Sequence, residues 1–321
     1  GLKVYGIQSD ELPLINFSIR MKGGQLLDNP ELPGVANLMT DIMQEGTANK
    51  TPEELEDAIG QIGANISMYT SSENITVSAN CLARYFDETV ALVEEMLLQP
   101  RWDEAEFDRI KKNQINSIKQ RSANANIIAS QVSDKMMYGD DHILSKPISG
   151  TLESVEKITI DDLKNYHTAN YSPNVSAFHI AGSVSEASVM NALKGIETKW
   201  ASKEVTFPQY VMKESSSEDN IYFANFNNAK QSVIRVQRLT VPRNDPDYFP
   251  LTVANYGLGG NSGGELFQVL REEKGYTYGA YSYVEASSVA APFTASSSVK
   301  SNVTPESVQA FKDVMEGYKA N

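Results

Sequence analysis

The chain runs through one grammar of strands and helices twice, in the same order, and this limits it to tandem α/β units. Phe17-Ser18-Ile19-Arg20-Met21 is echoed by Ser232-Val233-Ile234-Arg235-Val236. Asp28-Asn29-Pro30, ahead of a helix, is echoed by Asn244-Asp245-Pro246. Glu54-Leu55 opens a helix that stops at Gly63, and Glu265-Leu266 opens one that stops near Gly275. The strand and helix between Ile75 and Leu98 return between Phe293 and Tyr318. The first copy continues for about another hundred residues past Leu98, a domain-sized remainder, whereas the second reaches Asn321 just past the matching helix. The expectation is a second domain without its C-terminal part.

Local patterns give the elements. Lys3 to Ile7 and Leu14 to Met21 are rich in β-branched and apolar residues and predict strands. Val35, Leu38, Met39, Ile42 and Met43 recur at helical spacing and predict an amphipathic helix over 34–45. Thr51-Pro52-Glu53-Glu54 supplies an N-cap, a proline at the first helical position and a glutamate at the third, a helix start. Ile66 to Cys81 predicts two strands around a turn at Ser71-Ser72-Glu73-Asn74. Helices follow over 86–98, 103–119, 123–138 and 159–166, then a strand over 175–181 and a helix over 185–197. Pro208 and Ser215-Ser216-Ser217 mark a linker. The division is therefore 1–205, a linker at 206–219, and 220–321.

At 321 residues the chain exceeds one hydrophobic core. A net charge of −13 argues against nucleic acid and anionic membranes as partners. No apolar run approaches the ~20 residues of a membrane helix. The lone Cys81 lies in an alternating strand and excludes an internal disulfide; a small core residue is its expected role. Only His142, His167 and His179 are present, far apart, so they offer no local metal set. Asp140-Asp141-His142 is expected to be a solvated loop, and His179 a structural residue of its strand. The glycines of 257–264 lack the Gly-Lys-Ser/Thr ending of a phosphate loop, which leaves a flexible helix-to-helix connection.

A set of short segments carries a family resemblance. They are Gly23-Gly24, Gly34-Val35-Ala36, Glu45-Gly46-Thr47, Gly63-Ala64, Asn170-Tyr171-Ser172-Pro173, Ala181-Gly182-Ser183-Val184, and 266–278. Each is weak alone; in this order and spacing the chain resembles the pitrilysin/insulinase family of zinc peptidases, including the mitochondrial processing peptidase subunits. The resemblance implies an α+β fold of tandem domains, each a mixed, mainly antiparallel sheet with helices packed on one side.

Active members carry His-x-x-Glu-His on the helix after the first strands. Residues i and i+4 share a helical face, so both imidazoles reach one zinc, and the glutamate alongside serves as base toward the metal-bound water. The matching positions here are Asn37, Thr40 and Asp41, and the distal carboxylate ligand falls at Ser117. Asn and Thr are poor zinc ligands, and Thr is no base near neutral pH. No metal or other cofactor is expected in this chain.

What persists is the second-domain motif. The resemblance implies that Arg271 and Tyr278, in register with Gly275, reach the active site of a zinc-bearing domain: Tyr278 toward the scissile carbonyl, Arg271 toward the substrate backbone or Tyr278 itself. An Arg271 pair with Glu272 or Glu273 and a packed Tyr278 is the alternative of purely structural roles. Gly63, Ala64 and Asn65 match the strand whose edge pairs with extended substrate. The expectation is a chain inactive alone that joins a homologous subunit bearing His-x-x-Glu-His, with zinc in that partner, in a heterodimer acting on peptides. The alternative is a peptidase-like scaffold or peptide-binding protein. Family habit points to a bacterial periplasmic or secreted protein.

Overall fold

The computed structural model describes residues 1–210, 220–227 and 229–320. They form two compact units, one from Gly1–Lys119 and Lys146–Gln209, the other from Gln120–Ser145 and Tyr210–Asn321. Residues 120–145, placed with the first domain by the sequence division, thus group with the second unit. Most of the 206–219 linker, 211–219, lies outside the described residues.

The first unit is built on a five-stranded sheet in the order β1-β5-β2-β4-β3. Its strands are β1 (Lys3–Gln8), β2 (Leu14–Lys22), β3 (Asn65–Thr70), β4 (Asn74–Leu82) and β5 (Ser176–Gly182). Only β1 and β5 run parallel. The period of two in β2 buries Ile15, Phe17, Ile19 and Met21 on one face, where they meet Val77, Cys81 and Phe178. Cys81 is the small core residue its alternation implied.

Helices α1 (Val35–Ile42), α2 (Pro52–Gln61), α3 (Phe86–Leu98) and α4 (Glu104–Arg121) follow these strands. Thr51 and Glu54 make the reciprocal capping box that the sequence announced for α2. Helix α1 is capped differently, by the buried carboxylate of Asp28, which accepts from the backbone of Gly34 and Ala36 at 2.9 Å each. Burial outweighs those two donors and pushes Asp28 up to about 7. Val35, Leu38, Met39 and Ile42 are buried, so α1 is core on most of its circumference.

Helix α5 (Ala125–Tyr138) belongs to the second unit, while α6 (Leu152–Lys157), α7 (Ile160–Asn170), α8 (Glu186–Ala192) and α9 (Lys194–Lys199) complete the first. The single helix expected over 185–197 is two helices meeting at Leu193, beside Gly195, where an added Cβ would lie 2.0 Å from the Glu94 carboxylate.

The second unit has three antiparallel strands in the order β6-β8-β7: β6 (Gln231–Leu239), β7 (Thr277–Val284) and β8 (Pro292–Lys300). Helices α10 (Tyr248–Leu258), α11 (Glu265–Phe267) and α12 (Thr304–Ala320) complete it, α11 running directly into a π-helical stretch, Gln268–Glu273. Ile234, Leu266, Leu270, Ala295, Val299 and Phe311 form its core. On the other face of β6, at Val233 and Arg235, lies α5. The repeat holds: β2, β3, β4 and α3 correspond to β6, β7, β8 and α12. Counterparts of α7 and β5 do not occur among the described residues of the second unit, and α10 shows Phe249, Val253 and Tyr256 to solvent. No helix among the described residues is long and apolar enough to cross a membrane.

Candidate functional site

The positions of the lost zinc ligands lie on α1 and are tied up in bonds of their own. The Asn37 amide donates to Asp41 Oδ2 at 2.9 Å. The Thr40 hydroxyl donates to the Asn37 carbonyl at 2.8 Å and lies 3.1 Å from the Thr70 hydroxyl of β3, with Thr40 only 1% exposed. Thr70 in turn donates to the Ala36 carbonyl at 2.9 Å. Burial and the neighbouring Glu45 push Asp41 up to about 6. Ser117 is half-buried on α4 and offers a hydroxyl where a carboxylate would be required. This set does not fit zinc: one carboxylate, already hydrogen-bonded, stands where three ligands and a base would be needed. Among the described residues no group of three or more His, Cys, Asp or Glu could hold a metal.

The three histidines lie apart, each among neighbours of its own. His142 is buried rather than solvated: its Nδ1 accepts from Leu144 N at 3.0 Å, and its ring lies between Tyr138 and Tyr210. The aromatic neighbours reward burial that the polar run Asp140-Asp141 did not suggest. His167 Nε2 lies 2.9 Å from the Leu97 carbonyl, with the ring against Trp102 and Tyr171. Burial pulls both below the usual imidazole range. His179 is exposed and stacks on Tyr5.

Gly63 turns the chain at φ 59° into β3, the free edge of its sheet. The sequence expectation matched this segment to an edge that pairs with extended substrate in active members, and left open that without zinc it binds nothing. The structure shows that edge partly taken. The Gln44 side-chain amide donates to the Met68 carbonyl at 3.1 Å and accepts from the Met68 N–H at 3.0 Å. Met68 and Val77 form one cross-strand pair, and in an antiparallel ladder a residue bonds its partner with both backbone groups or with neither. Gln44 therefore occupies the side facing away from β4. A second donation, to the Thr40 carbonyl at 3.0 Å, fixes it to the end of α1. Gln44 was not singled out from sequence, and its only local signal is a polar residue just past a buried helix.

Arg271 and Tyr278 come together in the second unit. Arg271 sits on the π-helical stretch, a geometry that concentrates at functional sites. Gly275 reverses the chain at φ 61°, and β7 begins with a register shift between Thr277 and Ala280. Tyr278 lies inside that irregularity, where its side chain is 85% exposed and its hydroxyl has no partner among the described residues. The expected alternative of a packed tyrosine is therefore not what is seen. Arg271 Nη1 donates to the Tyr278 carbonyl at 2.7 Å, while its Nε meets Glu272 at 3.0 Å. The arginine thus makes both expected kinds of contact, the ion pair and the hold on the tyrosine, here through its backbone.

The glycine-rich run is a hydrogen-bonded turn rather than a loose connection. The Asn261 side chain accepts from Gly263 N at 2.6 Å and donates to the Tyr256 carbonyl at 3.0 Å. Gly259 O accepts from Ser282 N at 2.8 Å, an approach possible only without a Cβ, which would lie 2.6 Å from Ser282 Oγ.

Comparison with known proteins agrees with this picture. Residues 8–150 match the insulinase family, peptidase family M16, and residues 157–321 match the family described as peptidase M16 inactive domain. An uncharacterized zinc protease, YmxG of Bacillus subtilis, is 24% identical over 81% of this chain. The Helicobacter pylori protein named non-peptidase homolog YmxG is 21% identical over 84%. The chain spans 62% of the length of each. A probable mitochondrial-processing peptidase subunit beta of Arabidopsis thaliana is 23% identical over 68% of this chain and 41% of its own length. A solved M16 inactive domain from Pseudomonas fluorescens superposes with a TM-score of 0.91, at 23% identity, over the whole of this chain and 77% of that one. This chain belongs to peptidase family M16, the insulinase family, as a member whose sequence has no His-x-x-Glu-His motif.

Proposed function

We propose that this chain is the non-catalytic subunit of a heterodimeric zinc peptidase and supplies Tyr278 and Arg271 to a site whose zinc and His-x-x-Glu-His belong to a homologous partner. The observation that carries this is the exposed Tyr278 hydroxyl, held by an Arg271 bond to its own carbonyl while the metal positions on α1 are filled with internal hydrogen bonds. The relation to a processing peptidase subunit supports the division of labour.

In such a site the partner's zinc supplies an activated water. This chain contributes a donor toward the scissile carbonyl. As the carbonyl oxygen gains charge, the Tyr278 O–H donates to it, and the preset position of that donor avoids reorganisation at the moment of reaction. Arg271 keeps the bulge of β7 in place, so the hydroxyl stays aimed. Gly63, Ala64, Asn65 and Gly275 border the edges along which extended peptide would lie. The substrate class is peptides or unfolded polypeptides, and the compartment a bacterial periplasm or the exterior.

The test is cleavage of a mixed peptide library by the full-length chain together with its His-x-x-Glu-His partner. Neither chain should cut alone, and Tyr278→Phe should slow the pair by roughly 100-fold in kcat, the cost of one oxyanion donor. Equal rates for native protein and Tyr278→Phe, or a partner fully active alone, would make this chain a scaffold.

A further inference from the structure

The polar face of the second unit's sheet holds a cavity of about 210 Å³ beside the Tyr278 bulge. Its walls include Asn126 at the start of α5, Arg235 of β6, Gly279 and Tyr281 of β7, and Ser296 and Ser298 of β8. Gly279 and Tyr281 lie within three residues of Tyr278 along the same strand. Arg235 faces this side because its neighbours Ile234 and Val236 turn to the core, and it pairs across the sheet with Ser296.

Arg235 is unusual in its surroundings. Its Nε is buried and has no hydrogen-bond partner, and no ion pair to it occurs among the described residues. A guanidinium nitrogen shut off from water without an acceptor is costly, and native structures rarely keep one without a use. Asp134 of α5 is close enough to feel the Arg235 charge, but burial holds its carboxyl above the usual range and its hydrogen bond is with Ser130 at 3.4 Å. The remaining polar walls are serine hydroxyls and the Asn126 amide, and the Ser298 hydroxyl already leans on Asn126 at 3.4 Å.

We propose that this cavity is a specificity subsite that takes a peptide carboxylate, with the Arg235 guanidinium as its charged partner and Ser296 and Ser298 as further donors. The proposal rests on the reading that peptide lies against Tyr278, and names the side chain such a peptide would present. One guanidinium and no second cation among the lining residues suits the single charge of a carboxylate better than that of a phosphate. The planar fork matches two carboxylate oxygens. Strands lie about 4.8 Å apart, so β6 runs about 10 Å from β7, a few residues' reach for an extended peptide anchored at Tyr278. The net charge of −13 gives an acidic peptide no long-range attraction, so the preference has to be local. The carboxylate has two sources in a peptide, an acidic side chain or the C-terminus.

The experiment is binding of dye-labelled short peptides to the full chain together with its His-x-x-Glu-His partner, stripped of zinc so that nothing is cut, read by fluorescence polarisation. A single Glu, or Gln in its place, is moved through an Ala- and Leu-containing sequence, and each peptide is made with a free and an amidated C-terminus. The expected result is one register in which Glu binds about tenfold more tightly than Gln, charge-assisted against neutral. Arg235→Gln should remove that preference and leave the Gln peptide unchanged, and Arg235→Lys should restore part of it. A preference that follows the free C-terminus instead assigns the cavity to the terminal carboxylate. Peptides that bind with no difference between Glu and Gln, or between free acid and amide, overturn the subsite and spare the proposed function. No peptide binding at all overturns both. The Glu against Gln comparison on the native chain decides the matter even where a variant folds poorly.

Discussion

Strands β3 and β7 occupy the same place in the two copies of the unit, and their free edges are closed at different points. Each follows a glycine with φ near 60°, and each ends the hydrogen-bonded order of its sheet. On β3 the Gln44 side chain takes both backbone groups of Met68, in the middle of the strand. On β7 the closure comes later: Gly259 O accepts from Ser282 N, and Asn255 Nδ2 donates to the Ser282 carbonyl at 3.0 Å. In the first half of β7 the Arg271 side chain takes the Tyr278 carbonyl and the Thr277 hydroxyl takes the Gly279 backbone, while the Tyr278 side chain stays exposed. The first unit has thus closed the middle of its free edge with one side chain, while the second leaves the Tyr278 side chain on its edge strand exposed. Edge coverage also limits unwanted strand pairing.

Restoring one catalytic residue should break the first unit. Thr40→Glu places a carboxylate where the hydroxyl is 1% exposed and bonded to Asn37 and Thr70. The expected loss is about 3 kcal/mol, seen as a lower urea midpoint with unchanged slope. A stable Thr40→Glu variant would mean the α1 site is looser than its bonds indicate. The two edge plugs should differ in weight. Asn255 is buried and exchanges two bonds with Ser282, the Ser282 hydroxyl donating back at 2.6 Å. Asn255→Ala should cost about 2 kcal/mol, measured the same way, because it leaves buried polar groups unpaired.

Gln44→Ala should cost less, about 1 kcal/mol, since water can reach the vacated edge. Its signature is faster hydrogen exchange at the Met68 amide. Together with any gain in peptide binding along β3, that would show Gln44 holding the edge shut.

An effect of similar size is electrostatic. Asp41 titrates near 6 in the folded chain, above its ordinary value of 3.8, so the folded state holds its proton more tightly than the unfolded state. Its contribution to stability is fully present below about pH 4 and is lost as pH rises to about 6. Asp28, at about 7, moves the same way. Asp41→Asn should therefore gain on the native chain by about 1 kcal/mol between pH 4 and pH 7.5 in urea melts, discounted from the full shift for partial exposure. A parallel pH dependence in the two proteins would refute the Asp41 shift.

Much of this molecule was legible along the chain because its causes are local. β-Branched and apolar content placed β2 and the capping box placed α2, since each depends on residues within a few positions, and the alternation in β2 buries Ile15, Phe17, Ile19 and Met21. The positions Asn37, Thr40 and Asp41 and the Arg271 and Tyr278 pair came from the family resemblance, which rests on short segments in a fixed order along the chain. What only the tertiary structure decided depends on where distant segments meet. Gln44 reaches Met68 across 24 positions and Asn255 reaches Ser282 across 27, contacts that no spacing rule announces. The grouping of α5 with the second unit, the burial of His142 between two tyrosines and the orphaned Arg235 nitrogen arise in the same way. A hydrogen bond between remote segments is fixed by register and chain path, and those exist only once the sheets have formed.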